Sequence, residues 1–187
     1  MKTAGWTLRP ATLGDRPAIA ELIARSARGL SRDDYEDRQI ESALATGVFG
    51  VDSDLIADGT YLVAEAGGRI VACGGWSRRR TLFGGDRFAG READLLDPSR
   101  DPARIRAFFV DPAWARRGIG RAILERCEAE AGAAGFRALE MMATLPGLPL
   151  YRASGYAVDE RVEHVMDDGV SIAVVRMSKP LPPPAPR

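Results

Sequence analysis

Three arginines and two glycines within six residues, Arg116-Arg117-Gly118-Ile119-Gly120-Arg121, are the densest chemistry in this chain. Glycines at a helix start leave its unsatisfied N–H groups and partial positive charge open to an anion, and each guanidinium adds a full charge with paired donors. A diphosphate is the ligand such a turn suits. Ala107-Phe108-Phe109-Val110, an aromatic and β-branched run stopped by Asp111-Pro112, predicts a buried strand ending near Val110. Ile119, Ile123, Cys127, Ala131 and Ala134 recur at helical spacing opposite Arg121, Glu125 and Glu128, so the glycines fall at the N-terminus of an amphipathic helix. The alternative is that Gly118 and Gly120 only permit a sharp turn between solvated arginines.

Several cofactors are held by glycine-rich turns, and the spacing argues against two of them. A nucleoside-triphosphate loop needs Gly-Lys followed by Ser or Thr, whereas Gly120-Arg121-Ala122 lacks both the lysine and the magnesium-binding hydroxyl. A dinucleotide fingerprint needs a third small residue, and Ile123 stands in its place. Composition narrows the classes further. The 187 residues, 45% hydrophobic and 28% charged, suit one globular domain, and a formal net charge of zero lacks the footprint of a nucleic-acid binder. One histidine, His164, and two dispersed cysteines, Cys73 and Cys127, make no metal-ligand cluster, and both cysteines sit in apolar patterns that predict free, buried thiols. Met1 to Trp6 does not resemble a secretory signal and no apolar run reaches membrane-spanning length, so a cytoplasmic protein that binds neither nucleic acid nor membrane is expected.

The run Ala115-Arg116-Arg117-Gly118-Ile119-Gly120 resembles the signature of the GNAT superfamily of N-acetyltransferases, Gln/Arg-x-x-Gly-x-Gly/Ala between the fourth strand and third helix. Gly118 and Gly120 match, while Ala115 replaces the first Gln or Arg and Arg116 follows one place later. The likeness extends through Gly135-Phe136 to Leu150-Tyr151-Arg152-Ala153-Ser154-Gly155-Tyr156. It implies an α/β (α+β) fold: a mixed, mostly antiparallel central sheet of six to seven strands flanked by helices, with a parallel strand pair splayed at the cofactor site.

The resemblance further implies acetyl-CoA as cosubstrate without a metal, a small-molecule or peptide amine as acceptor, and leaves room for a homodimer. Backbone groups of Arg116, Arg117, Gly118, Ile119, Gly120 and Arg121 would take the pyrophosphate, and Phe108, Phe109 and Val110 the pantetheine arm. Tyr151 would be the acid that protonates the leaving thiolate. Thr144, where relatives often carry asparagine, is a further contact. A phenol with a pKa of about 10 is protonated at neutral pH and suits the acid role, although Tyr151 also reads as a core residue of a short helix. Glu140, Glu65 or a water chain are the candidates for general base. A non-catalytic acyl-CoA sensor of the same fold is the alternative function.

The remaining sequence places these residues. Trp6 to Pro10 predicts a strand, then Asp15 and Pro17 open a helix with Ile19, Leu22, Ile23 and Leu30 inward. Ser31 to Asp34 has capping-box spacing for a second helix with Tyr35, Ile40 and Leu44 inward and Gly47 past its end. Its acids, Asp33, Asp34, Glu36, Asp37 and Glu41, could draw a cationic amine or be a solvated face. Thr60–Ala66 and Arg69–Trp76 around Gly67-Gly68 predict a hairpin. The charged, glycine-rich Arg78–Pro102 segment predicts a functional or partly disordered loop. Phe136 to Ala143 predicts a strand parallel to the Val110 strand, reached through the helix, and Pro146 to Gly155 a short helix. Tyr156–Val158 and Val170–Met177 predict the last strands, joined by an Asp167-Asp168-Gly169 turn. One domain over residues 3–178 is expected, with a proline-rich tail over 179–187 too poor in apolar residues to pack.

Overall fold

Alternation of apolar residues toward two helix layers organises the chain. The computed structural model describes residues 5–183, and its seven strands form one sheet in the order β1-β2-β3-β4-β5-β7-β6. The strands are β1 (Thr7–Pro10), β2 (Tyr61–Ala66), β3 (Arg69–Ser77), β4 (Ala103–Val110), β5 (Ala138–Thr144), β6 (Ala157–Val165) and β7 (Ser171–Pro180). Every neighbouring pair is antiparallel except β4 and β5, which are parallel and joined through a helical crossover. The fold class implied by the resemblance is therefore the one observed.

The predicted hairpin is β2–β3, its turn made by Gly67 and Gly68 at φ 55° and 75°, the left-handed pair that a two-residue hairpin turn requires. Successive β2 residues serve opposite faces. Leu62, Ala64 and Ala66 join one buried cluster and Tyr61 and Val63 the other. The first cluster is closed by α4 (Ile119–Ala133), which buries Ile119, Ile123, Leu124, Cys127 and Ala131. Full burial of an aliphatic side chain is worth roughly 1.5–3 kcal/mol, so that stripe anchors the crossover helix. Ala134, expected on it, is exposed beyond the helix end. The second cluster is closed by α1 (Arg16–Leu30) and α2 (Asp37–Thr46), where Ile19, Leu22, Ile23 and Ile40 are buried and Leu30 is exposed.

Some boundaries differ from the sequence reading. Ser31 caps the end of α1, and α2 begins after Glu36, whose box with Gln39 replaces the one expected at Ser31. Tyr35 is buried as predicted but precedes the helix. A helix that the pattern did not suggest, α3 (Ser53–Ala57), is capped by the Asp52 carboxylate through the N–H groups of Asp54 and Leu55. The short helix near Pro146 is α5 (Leu148–Ala153). Lys179 and Pro180, assigned to the tail, belong to β7 and pair with Leu139 and Ala138, because the β5 edge continues to offer partners there. Residues 184–187 of the expected tail, like residues 1–4, lie outside those described.

The Arg78–Pro102 segment is tied down by ordinary pairing. Arg80 N–H bonds Asp94 O at 2.9 Å, Leu96 N–H bonds Arg78 O at 2.7 Å, and Arg79 holds Asp58 through two bonds. Both cysteines are free and buried, and burial pushes the Cys73 thiol up to about 12. No helix among the described residues is long and apolar enough to cross a membrane.

Candidate active site

The site begins with a fault in β4. Cys73 pairs with Phe109 and Gly75 with Arg106, so β4 carries one residue more than β3 between these pairs. The bulge falls at Ala107, whose φ of 58° is one of two positive values among the described non-glycine residues. Its carbonyl accepts from the Tyr61 hydroxyl at 3.3 Å. Gly74 lies beneath: a Cβ there would stand 2.8 Å from the Phe108 ring, so glycine lets Phe108 lie against β3. On the other side, β4 pairs with β5 only at Ala103–Leu139 and Arg104–Glu140. From Ile105 to Val110 the β5-facing edge has no strand partner, which is the splay the resemblance implies.

The second positive φ, 60°, is Arg116, in the turn leaving β4. Asp111 fixes the entry, accepting from Ala113 N–H at 2.9 Å and from Arg25 Nε at 3.2 Å, while its own N–H reaches Val71 O. Gly118, at φ 81°, starts α4, and the first amide bonded back is Ala122 N–H to Gly118 O at 3.0 Å. The N–H groups of Ile119, Gly120 and Arg121 thus stand without a partner among the described residues, at the positive end of the helix. Around them Arg116, Arg117 and Arg121 are exposed; Arg117 lies 4.8 Å over the Trp114 ring and Arg121 reaches Ala153 O at 3.4 Å.

The two glycines have different reasons. Nothing lies within 4 Å of a Cβ placed on Gly118, where the positive φ demands glycine. On Gly120 a Cβ would meet Leu150 at 3.2 Å and Val110 at 3.9 Å, so this glycine also lets α4 close against α5 and the end of β4. Ile119 is core and can offer only its backbone. Val110 N–H already donates to Ser26 Oγ at 3.1 Å and Phe109 is paired with Cys73 of β3, which removes these groups from the expected pantetheine partners and leaves Phe108.

A cleft opens where the strands part. Phe108, Phe109, Met141, Met142, Thr144 and Tyr151 line its inner wall, with Phe49 and Phe83 on the outer side. Tyr151 packs edge-on against Phe108 and Tyr156, with ring centres 6.2 and 6.0 Å away. Gly147 lies between Tyr151 and Thr144, its Cβ position 2.9 Å from the ring and 3.6 Å from Thr144 Oγ1. Burial pushes the Tyr151 phenol well above its ordinary value. The Tyr35 hydroxyl accepts from Leu145 N–H at 2.8 Å and donates to Ala173 O at 2.7 Å, pinning the turn after β5. Burial raises that phenol to about 12.

Neither carboxylate considered as a base faces the cleft. Glu140 is buried between Arg104 and Arg176, where the parallel strands still pair, and Glu65 binds Arg9 at 2.9 Å on the far side of the sheet. The acids around α2 do not line it either: Glu41 pairs with Arg28 and Asp37 with Arg32. Sequence reading also missed Arg106, which lines the cleft from β4; a lone charge inside a buried apolar strand was the available signal.

Fold and site together define an α/β protein with a glycine turn and free helix N–H groups at the open end of a split sheet. The model of the acetyltransferase (GNAT) family matches residues 17–156, and the chain belongs to that family. A GCN5-related N-acetyltransferase from Rhodopseudomonas palustris has the same fold, with a TM-score of 0.72 at 23% identity over 97% of this chain and 99% of that one. A phosphinothricin acetyltransferase from Sinorhizobium meliloti, solved with AcCoA, gives 0.63 at 20% identity over 98% and 93%. The ribosomal-protein-S18-alanine N-acetyltransferase from Escherichia coli gives 0.58 at 17% over 94% of each. No curated protein matches the chain by sequence at a significant level.

Proposed function

We propose that this chain transfers the acetyl group of acetyl-CoA to a primary amine by direct attack within a ternary complex. One observation carries the reading: the free N–H groups of α4, the unpaired edge of β4 and Tyr151 converge on one end of the split, with Gly120 packed between Val110 and Leu150. The residues fit the cosubstrate, since the N–H groups of Ile119, Gly120 and Arg121 lack partners and Gly118 opens into free space. These groups would hold the diphosphate, with Arg116, Arg117 and Arg121 adding charge and the backbone of Phe108 meeting the pantetheine arm. When bound, acetyl-CoA supplies an activated thioester.

The protein's contribution is chiefly position, because holding two reactants in a productive geometry removes most of the entropic barrier. Tyr151 holds a proton on Oη beside that geometry. Its raised pKa keeps it protonated throughout the working range, and since an ordinary thiol ionises near 8.5, it acts as a hydrogen-bond donor to developing thiolate charge. The residues lining the cleft include no carboxylate and no histidine, so the amine arrives neutral and its surplus proton leaves through water. The names of two neighbours, a phosphinothricin and a ribosomal-protein-alanine acetyltransferase, support an amine acceptor.

The test combines binding and turnover. Acetyl-CoA at a hundredfold excess over its Kd should stabilise the fold by about 2.7 kcal/mol, with NAD and ATP doing much less. A panel of amines should then release free CoA thiol. Equal stabilisation by NAD would refute the assignment, and stabilisation without thiol release from any amine would make the chain an acyl-CoA sensor.

A further inference from the structure

The cleft holds one charge that acetyl transfer does not require. Arg106 has a side chain only 1% exposed, yet it lines the cleft. Its Nη2 lies 2.5 Å from Asp52 Oδ2 and donates to Gly84 O at 2.6 Å, while Nε and Nη1 are buried with no hydrogen-bond partner. Asp52 is itself shared, since its Oδ1 also takes Arg91 Nη2 at 2.9 Å and the N–H groups of Asp54 and Leu55. Asp54 takes the same Arg91 nitrogen at 2.5 Å. Two carboxylates therefore balance two guanidiniums; Asp52 Oδ2, the ion-pair partner of Nη2, is likewise buried without a hydrogen bond, and among the described residues none is made to Nε or Nη1 of Arg106.

A guanidinium remains charged at every accessible pH, so burial without partners is costly and cannot be relieved by losing a proton. Desolvation opposes its charge and Asp52 supports it. Much of the surrounding wall is apolar: Phe49, Phe83, Phe109, Met142 and Val174 also line the cleft. Thr144 and Tyr151 bring hydroxyls to the same cleft, but Arg106 is its one charged lining residue, so its free donors discriminate between an anion and its neutral isostere.

We infer that the acceptor is a primary amine with an apolar body and a carboxylate, the carboxylate accepting from the free donors of Arg106 while the body lies among the aromatic walls. This rests on the reading of the cleft as the acceptor side of an acetyl-transfer site. The amine is then held at a fixed distance from its carboxylate, which places it near the parting of β4 and β5. A simple alkylamine would fill the apolar space and leave Arg106 unsatisfied.

Binding is tested apart from chemistry with 3-phenylpropionate and its neutral isostere 3-phenylpropanamide, titrated calorimetrically into the full chain with and without coenzyme A. The carboxylate should bind at least tenfold more tightly than the amide, and Arg106→Gln should abolish the difference. If that variant does not fold, Asp52→Asn, which keeps the helix cap and removes the competing charge, should widen the preference instead. Equal affinity for the two compounds, no binding of either, or a preference unchanged by these substitutions overturns the inference. Turnover adds a second readout, in which phenylalanine should exceed phenethylamine at least tenfold in kcat/KM. Acetyl-CoA titrated into the same samples separates the two ideas: its failure to bind would remove the acetyl-transfer reading, while the carboxylate–amide comparison still decides the anion site.

Discussion

Tyr151→Phe removes one oxygen and keeps the ring, which makes it the sharpest probe of the proposed chemistry. The hydroxyl has no hydrogen-bond partner among the described residues, and the edge-on contacts with Phe108 and Tyr156 are made by the ring. Deleting a hydroxyl that makes no hydrogen bond within the protein should change stability by less than about 1 kcal/mol, or under about 4 °C in Tm for a domain of this size. A positioned proton donor is worth roughly 10²–10⁴ in rate, or about 2.7–5.4 kcal/mol of barrier at 1.36 kcal/mol per decade. The substitution should therefore lower kcat by at least a hundredfold while Tm and acetyl-CoA affinity stay nearly constant. Thiol release with the amine found in the screen gives kcat, a thermal melt gives Tm, and calorimetry gives the affinity. The pH profile adds a constraint: because burial keeps the phenol protonated, the wild-type rate should rise as the amine loses its proton, with no fall assignable to Tyr151 below about pH 10. Near-normal turnover in Tyr151→Phe would refute the donor role, and a large fall in Tm would show that the hydroxyl serves the fold.

Gly118→Ala meets no atom within 4 Å but must hold φ at 81°, so it should cost about 1–2 kcal/mol of backbone strain and weaken acetyl-CoA at least tenfold by calorimetry; unchanged affinity would move the diphosphate elsewhere. Gly120→Val is a poorer probe, because a side chain there also pushes on Leu150. Glu140→Gln leaves Arg104 and Arg176 facing one another and should cost about 3 kcal/mol in urea unfolding without altering the pH–rate profile; a selective rate loss in a stable protein would restore Glu140 as a base. Asp15 accepts from Arg9 at 2.8 and 2.9 Å and from Thr12, and Arg9 holds its carboxyl well below the usual range of about 3.9. A depressed folded-state pKa contributes stability that is complete above about pH 5 and lost progressively as the pH falls below about 4 toward the depressed folded-state value, so Asp15→Asn should flatten the acid limb of the stability curve.

What could be read from the chain alone was local. The Gly67-Gly68 turn, the apolar run into Val110 and the helical stripe behind Gly118 each state their geometry within a few residues, through backbone freedom or a single period. So the glycine turn, its strand and its helix were legible, whereas Tyr151 and Thr144 were singled out only through the resemblance to the acetyltransferase family. Short polar segments were less legible: Ser31 and Glu36 both satisfy a capping pattern, and only the packing of Tyr35 between Leu145 and Ala173 decides that α2 starts at the second. The tertiary structure alone decided the bulge at Ala107, the early end of the β4–β5 pairing, the withdrawal of Glu140 into an ion cluster, and the meeting of Arg106 with Asp52, 54 positions earlier in the chain. These are pairings of hydrogen bonds and charges across the sheet, set by which strands lie side by side. Hydrophobic periodicity records which face of an element is buried and carries no information about the partner it is buried against.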